Sequence, residues 1–312
     1  MLDQANHLRR LASHRCGAND VRTPRRRVPR LALLLGARSN VGASTLALNL
    51  AAAMGQLDVR PLLVDANPRG GQAPLPPRAP DAPSLADVLS ERRRLGEVVC
   101  RGADGLRFVP GARTIERLSD YPPGAYLPLV LQMRSPDTEA DWVLFDAGEA
   151  RSDLGRRMVG LADLVILATT PEPGSVIDAF DAIKLVAAAT DTTAVLASVT
   201  RAVAVETAEE VGSRLASATR RFLGFELELL PPLAEQLVVR QEATRGRAIA
   251  TTSPEGAVGR AMIRAARQLV ETPRIRRPVG GPGLEVIGPF RAAWPRDDKQ
   301  ENPPWSCGGQ QR

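Results

Sequence analysis

Residues 31–68 decide the fold, and they read LALLLGARSNVGASTLALNLAAAMGQLDVRPLLVDANP. An apolar run ends at Gly36, a loop of small residues follows, Ser44 and Thr45 open an apolar helix, and a second apolar run ends at Asp65. This order of strand, loop, helix and strand is typical of a P-loop unit, in which backbone N–H groups and a helix N-terminus bind phosphate. The sequence therefore predicts a phosphate-binding loop between the first strand and the first helix.

The lysine that a P-loop places directly before its Ser/Thr is missing. Ala43 occupies that position, and the first lysine of the chain is Lys184. Because the P-loop lysine reaches the β- and γ-phosphates, its loss removes the main cation and leaves the backbone amide groups. The loop residues that we expect to contact a nucleotide are Arg38, Ser39, Asn40, Val41, Gly42, Ala43, Ser44 and Thr45.

The remaining chain alternates apolar runs with helical patterns. Strands are predicted near 106–111, 141–148, 193–200 and 225–232 and within 161–175, and helices near 84–91, 176–189, 209–223 and 254–270. This alternation predicts an α/β fold of three layers, with a doubly wound, mainly parallel sheet of about seven strands between two layers of helices. We expect this P-loop domain to cover residues 31–272. Residues 1–30 are predicted to form a partner-docking helix and a basic linker, and residues 273–312 a disordered Pro/Gly-rich tail.

Composition argues against several classes of protein. The three cysteines, Cys16, Cys100 and Cys307, lie far apart and both histidines lie near the N-terminus, so neither a disulfide framework nor a zinc site is expected. No apolar run reaches the roughly 18 residues of a membrane span. The polar start MLDQANHLRRL also lacks the apolar stretch of a signal peptide. The sequence therefore favours a cytoplasmic protein without a stable membrane anchor.

The net charge of +6 is concentrated at the two ends of the chain. Residues 1–30 contain eight Arg and two Asp, and residues 273–312 contain six Arg and one Lys against four acidic residues. The body between them is therefore slightly acidic and gives no compositional reason to expect specific nucleic-acid binding. We interpret the basic stretch TPRRRVPR (23–30) as solvated linker, with contact to an acidic membrane or to nucleic acid as the alternative.

With these elements placed, residues 31–272 resemble the MinD/ParA family of deviant P-loop ATPases. That family carries a loop of the form X-K-G-G-X-X-K-[ST], whose first lysine is an additional, signature lysine. In the aligned loop the signature lysine becomes Arg38, the two glycines become Ser39 and Asn40, and the P-loop lysine becomes Ala43. Arg38 keeps the positive charge of the signature lysine but presents a planar fork, and an ordinary solvated loop residue is the alternative interpretation.

Two further strand ends carry family positions. The family's second strand ends in Asp-x-Asp-Pro; here Asp65 is kept, and Asn67 replaces the second acid, which is expected to position the attacking water. Asp146 matches the carboxylate on the Mg²⁺ side, with a simple helix N-cap as the alternative, and residues 162–184 are close to the family's next segment. The resemblance thus implies weakly bound ATP or ADP, with Mg²⁺ held by Ser44, Asp65 and Asp146. Asp65 and Asn67 occupy the two acid positions of the family's Asp-x-Asp-Pro motif, which are its switch positions. Because the second of them is an amide here, the resemblance assigns no catalytic residue.

Two segments are similar to the FlhG/FleN-type regulators of flagellar number within this family. One is residues 84–111, and the other is an Asp-Gln-Ala-x-x-Leu-Arg segment near the N-terminus. In those regulators the N-terminal segment docks on FlhF, a signal-recognition-type GTPase, and its glutamine assists GTP hydrolysis. The resemblance therefore makes five residues partner-binding: Asp3, Gln4, Ala5, Leu8 and Arg9. A frayed chain end is the alternative.

The sequence favours a regulator of flagellar placement or number that acts through protein contacts and is recruited by partners to the cell pole or membrane. Removal of one fixed donor at a transition state costs on the order of 10²–10³ in rate. Loss of both the lysine and the second acid therefore predicts little or no ATP hydrolysis. A nucleotide-blind scaffold for pilus or secretion machinery and an active ATP-dependent homodimer switch are the alternatives. A bacterial tyrosine kinase of exopolysaccharide export is disfavoured, because such kinases carry a cluster of tyrosines at the C-terminus. The only tyrosines here, Tyr121 and Tyr126, are internal.

Overall fold

The computed structural model describes residues 28–67, 82–102, 105–111, 123–189, 194–224, 226–233 and 237–272. The predicted partner-docking segment (3–9) and the predicted tail (273–312) lie outside these residues. The strands are β1 (Arg30–Gly36), β2 (Pro61–Asp65), β3 (Cys100–Arg101), β4 (Arg107–Val109), β5 (Trp142–Glu149), β6 (Leu164–Thr169), β7 (Ala194–Val199) and β8 (Glu228–Leu229). The helices are α1 (Ala43–Gly55), α2 (Leu85–Leu89), α3 (Leu95–Val98), α4 (Tyr126–Met133), α5 (Asp153–Val159), α6 (Pro173–Ala189), α7 (Val205–Leu223), α8 (Leu237–Thr244), α9 (Ile249–Thr252) and α10 (Ala257–Glu271).

The eight strands form one sheet in the order β3-β4-β2-β5-β1-β6-β7-β8. Neighbouring strands are parallel except β3 and β4, which are antiparallel. β1 lies between β5 and β6, so the chain first extends the sheet to one side of β1 and later to the other. In doubly wound folds, the carboxyl ends of the strands around such a reversal are where ligands bind. The predicted phosphate-binding loop follows β1 directly.

Both faces of the central strands are covered, which explains why these strands read as continuous apolar runs. All residues of β1 and β6 are buried. On one face, Leu33 and Phe145 belong to a core shared with α2, α4 and α6. On the other face, Leu34 and Ile166 belong to a core shared with α1 and α10. The last helix therefore packs over the sheet with its Ala-rich face, and Met262 is among its buried residues.

The structure confirms the predicted three-layer α/β fold and each predicted strand. β8 is shorter than predicted, at two residues, which pair with Leu196 and Ala197 of β7. β3 and the helices α3, α4, α5, α8 and α9 were not predicted. None of these helices exceeds eight residues. Helices this short are marginal in isolation and depend on tertiary packing, which leaves little periodic signal in the sequence.

Within the described ranges, no helix combines the length and the apolar composition that crossing a bilayer requires.

Candidate functional site

The loop between β1 and α1 turns at two positions of its backbone. Asn40 and Gly42 both adopt the left-handed conformation, with φ of 60° and 85°. Glycine takes this conformation freely, and asparagine tolerates it better than most residues. The turn therefore forms although Ser39 and Asn40 stand where glycines were expected. Gly42 directly precedes α1, so the backbone N–H groups of the first helical turn point toward the loop.

Residues at the ends of β6 and β7 hold the loop in place. The amide of Ala37 donates to the carbonyl oxygen of Ala168 over 2.8 Å. The Thr200 hydroxyl lies 2.5 Å from the carbonyl oxygen of Val41 and 3.0 Å from that of Thr169, and it is shared between them as a donor. Tertiary hydrogen bonds therefore fix the loop, in addition to the conformational preferences of its own residues.

The loop forms one wall of a cavity of about 490 Å³. All eight predicted loop residues, from Arg38 to Thr45, line this cavity. Another part of the lining is mainly apolar and consists of Leu233, Val239, Arg240, Val258 and Met262. A cavity of this size, lined by apolar side chains and a few polar groups, is typical of a small-molecule site. Ala43 presents a methyl group to the cavity, and the residue is only 8 % exposed.

Two aspartates lie side by side in neighbouring strands of the sheet. Asp65 and Asp146 are register partners in the parallel strands β2 and β5, and they are 6 % and 2 % exposed. Burial raises the pKa of Asp146 above its ordinary value, although hydrogen bonds from the Ser44 hydroxyl and the Gly148 amide oppose the rise. The Gly148 amide donates to Oδ1 of Asp146 over 3.1 Å. The predicted carboxylates are therefore together, and Ser44 connects Asp146 to the cavity.

Asn67 lies at the same edge of the sheet, next to Ser44. Its Nδ2 is 3.4 Å from the Ser44 hydroxyl oxygen, and its backbone amide donates to Oδ1 of Asp65 over 3.2 Å. A Cβ atom on Gly148 would come within 2.7 Å of Oδ1 of Asn67, so the carboxamide packs directly on that glycine. A neutral amide therefore occupies the place where the family has its second acid. An amide can hydrogen-bond a water but cannot take a proton from it.

Arg38, the residue at the signature-lysine position, is engaged by a carboxylate of α6. Its Nε and Nη2 donate to one oxygen of Asp178 over 2.8 and 2.5 Å. The second oxygen of Asp178 lies 3.6 Å from Arg151. The Arg38 side chain is 41 % exposed, so this ion pair is partly solvated. Arg38 lines the cavity, but its charge is directed toward α6.

Comparison with known proteins agrees with this geometry. No family model matches the chain. The antiactivator FleN of Pseudomonas aeruginosa is 24% identical over 245 residues, which cover 78% of this chain and 88% of FleN. The structure of the septum site-determining protein MinD with Mg-ADP from Pyrococcus horikoshii matches with a TM-score of 0.65 at 18% identity, over 78% of this chain and 96% of that one. A ParA family ATPase from Chlorobium tepidum matches with a TM-score of 0.61 at 20% identity, over 78% and 99% of the two chains.

The chain is MinD/ParA-like in fold and FleN-like in sequence. The resemblance read from the loop and strand ends is thereby confirmed. A MinD from Aquifex aeolicus gives the same result, with a TM-score of 0.62 over 79% of this chain and all of that one, at 17% identity. At such identities the solved structures establish the fold, and the roles of individual residues rest on the site itself.

The residues of this MinD/ParA-like site fit a magnesium ion only as part of a metal–nucleotide complex. Ser44 offers a hydroxyl at the cavity wall and donates to the carboxylate of Asp146, which is the register partner of Asp65. Mg²⁺ in nucleotide sites usually takes one or two carboxylates, substrate phosphates and several waters. Within the part of the chain that the structure describes, no group of three or more His, Cys, Asp or Glu residues could hold a metal by itself. The phosphates would therefore have to complete the coordination.

Several residues of the site were not predicted from the sequence. Thr200, Arg201 and Arg240 line the cavity, and Asp178 binds Arg38 from outside it. The position of Thr200 and Arg201, at the carboxyl end of the strand predicted at 193–200, was a usable signal because ligands collect at the carboxyl ends of parallel strands. No comparable signal marks Arg240 or Asp178, which lie on helices.

Proposed function

We propose that this protein is a FlhG/FleN-type regulator of flagellar placement or number that acts through protein–protein contacts. The similarity to FleN spans most of both chains and supports this role. FleN is named an antiactivator, that is, a protein that acts on another protein. The resemblance of residues 84–111 and of the N-terminal segment to such regulators supports it further. Such a protein works in the cytoplasm, and partners recruit it to the cell pole or membrane.

We propose further that the loop binds ATP or ADP weakly and hydrolyses ATP little or not at all. One observation carries this proposal: the loop is formed and lines a cavity, yet Ala43 and Asn67 stand at the two positions that should supply a cation and an acid. Phosphoryl transfer depends on positioned charge around the γ-phosphate and on an oriented nucleophile. Binding needs less, since backbone amides at a helix N-terminus bind anions without a lysine.

The partner that we propose is FlhF or a GTPase of the same signal-recognition type. Leu2, Ala5 and Leu8 recur at helical spacing and would form the apolar contact, while Gln4 would reach toward the partner's GTP. A segment of about three turns is too short to be a stable helix alone, so binding would order it. A homodimer is compatible with this mode of action.

The test is the GTPase rate of purified FlhF with the full-length protein, a variant that lacks residues 1–12, Gln4→Ala and Asn6→Ala. Asn6 is the matched control because it occupies an unspecified position of the Asp-Gln-Ala-x-x-Leu-Arg pattern. We expect stimulation by the full-length protein and by Asn6→Ala, none by the truncated protein, and none by Gln4→Ala although it still binds. Equal GTPase rates with full-length and truncated protein would refute the flagellar role and favour the nucleotide-blind scaffold.

A further inference from the structure

Three arginines line the cavity, and they are placed differently. Arg38 is directed toward Asp178 on α6. Arg240 belongs to α8, in the mainly apolar part of the lining. Arg201 follows β7 directly and is joined to the phosphate-binding loop, because its Nη1 donates to the carbonyl oxygen of Asn40 over 2.7 Å. This hydrogen bond places the Arg201 guanidinium against the loop backbone.

The backbone around Arg201 holds this residue next to the phosphate-binding loop. Thr200, the residue before it, is tied to Val41 and to Thr169 through its hydroxyl group. Arg201 itself adopts the left-handed conformation, with φ of 55°. That conformation is unfavourable for a residue with a long side chain, and such strained positions concentrate at functional sites because the surrounding structure must enforce them. The position of Arg201 is therefore imposed by the same contacts that hold the loop.

The chemistry of a guanidinium group suits this position. It carries five N–H donors in one plane, and one of them donates to the carbonyl oxygen of Asn40. Arginine binds phosphate oxygens in a bidentate manner and keeps its charge at any physiological pH. Its charge therefore lies beside a loop whose own residues offer backbone amides to an anion and whose usual lysine position is Ala43.

We propose that Arg201 supplies the positive charge at the phosphates of a bound nucleoside di- or triphosphate that the P-loop lysine supplies in other members of the family. This proposal rests on the proposed binding of nucleotide. An arginine beside the loop strengthens nucleotide binding, but it does not replace the acid that is missing at position 67, where the chain has Asn67. Binding without turnover follows from this combination.

The test is calorimetric titration of ADP and of adenosine into the wild-type protein and the variants Arg201→Ala, Arg201→Lys and Arg214→Ala. Hydrogen bonds between charged groups are strong enough that their loss lowers affinity about ten- to a hundredfold. We expect that loss for ADP with Arg201→Ala, an intermediate loss with Arg201→Lys, and an unchanged affinity for adenosine. Arg214 is the matched control, since it is an exposed arginine on α7 that pairs with Glu210. Its removal is expected to change neither affinity.

A rescue experiment separates the charge from the fold of the loop. Ala43→Lys in the Arg201→Ala background should restore ADP affinity, because a lysine at 43 returns a cation to the same phosphates. Melting temperatures of all variants show whether loss of the Asn40 contact has unfolded the protein. Equal losses of ADP and adenosine affinity, an unchanged ADP affinity in Arg201→Ala, or no ADP binding by the wild type would each overturn the proposal. The FlhF assay needs no nucleotide in this site, so the two proposals can fail separately.

Discussion

Restoring the missing lysine is the most informative single substitution in this protein. Ala43 is the first residue of α1 and lines a cavity of about 490 Å³, so a lysine there has space to reach a phosphate. A hydrogen bond between charged groups contributes about 1.5–3 kcal/mol. Ala43→Lys should therefore tighten ATP and ADP binding about ten- to a hundredfold. Calorimetric titration of Mg·ATP and Mg·ADP into both proteins measures the change.

The same substitution should have the opposite effect on the protein without nucleotide. A positive charge in the first turn of a helix opposes the helix dipole, at a cost of about 0.3–1 kcal/mol. The melting temperature should fall slightly without ligand and rise above that of the wild type when ADP saturates the site. Ala43→Met is the control, because it adds a side chain of similar length without charge. If Ala43→Met tightened binding as much as Ala43→Lys, or if neither did, a cation at position 43 would not contribute to phosphate binding by this loop.

Two further substitutions test the charges around the loop. Burial raises the pKa of Asp146 in the folded state. The folded protein then binds a proton more tightly than the unfolded chain, so the stabilisation from protonation is complete below the unfolded pKa and is lost as pH rises through the folded pKa. Asp146→Asn should therefore raise the melting temperature near pH 7 and flatten its pH dependence, and a wild-type profile that is already flat would contradict this. Asp178→Ala should free Arg38 and tighten ADP binding by up to about fivefold, since a partly exposed ion pair is weak. Asp181→Ala, on the same helix, serves as the control for that titration, and equal effects of the two would show that Arg38 is not restrained by Asp178.

The parts of the site that the sequence predicted are those whose signal is local. The apolar run of β1, the small-residue loop and the apolar helix α1 are contiguous, so their order identified the loop without knowledge of the rest of the chain. Asp65 ends β2, and Asp146 lies near the carboxyl end of β5, three positions before Glu149. Because strands of a parallel sheet end at a common edge, their proximity also followed from the pattern.

The parts that the sequence did not predict depend on contacts between distant residues. Arg201 meets Asn40 across 161 positions, and Arg38 meets Asp178 across 140. One exposed arginine among many carries no mark of such a contact, and only the order of β1, β6 and β7 in the sheet brings these residues together. The direction of the Arg38 side chain toward α6 is likewise a result of packing, and the aligned loop alone placed it only at the signature-lysine position.

The most direct test of this account is a paired measurement of ATP binding and phosphate release by the unmodified protein in the presence of Mg²⁺. We predict weak but measurable ATP binding and no phosphate release above background, because the loop is formed while the cation at 43 and the acid at 67 are absent. Ala43→Lys should raise binding without turnover, and turnover should appear only when Asn67→Asp is added. Robust hydrolysis by the unmodified protein would contradict the account and would show that Arg38 or Arg201 is sufficient for catalysis.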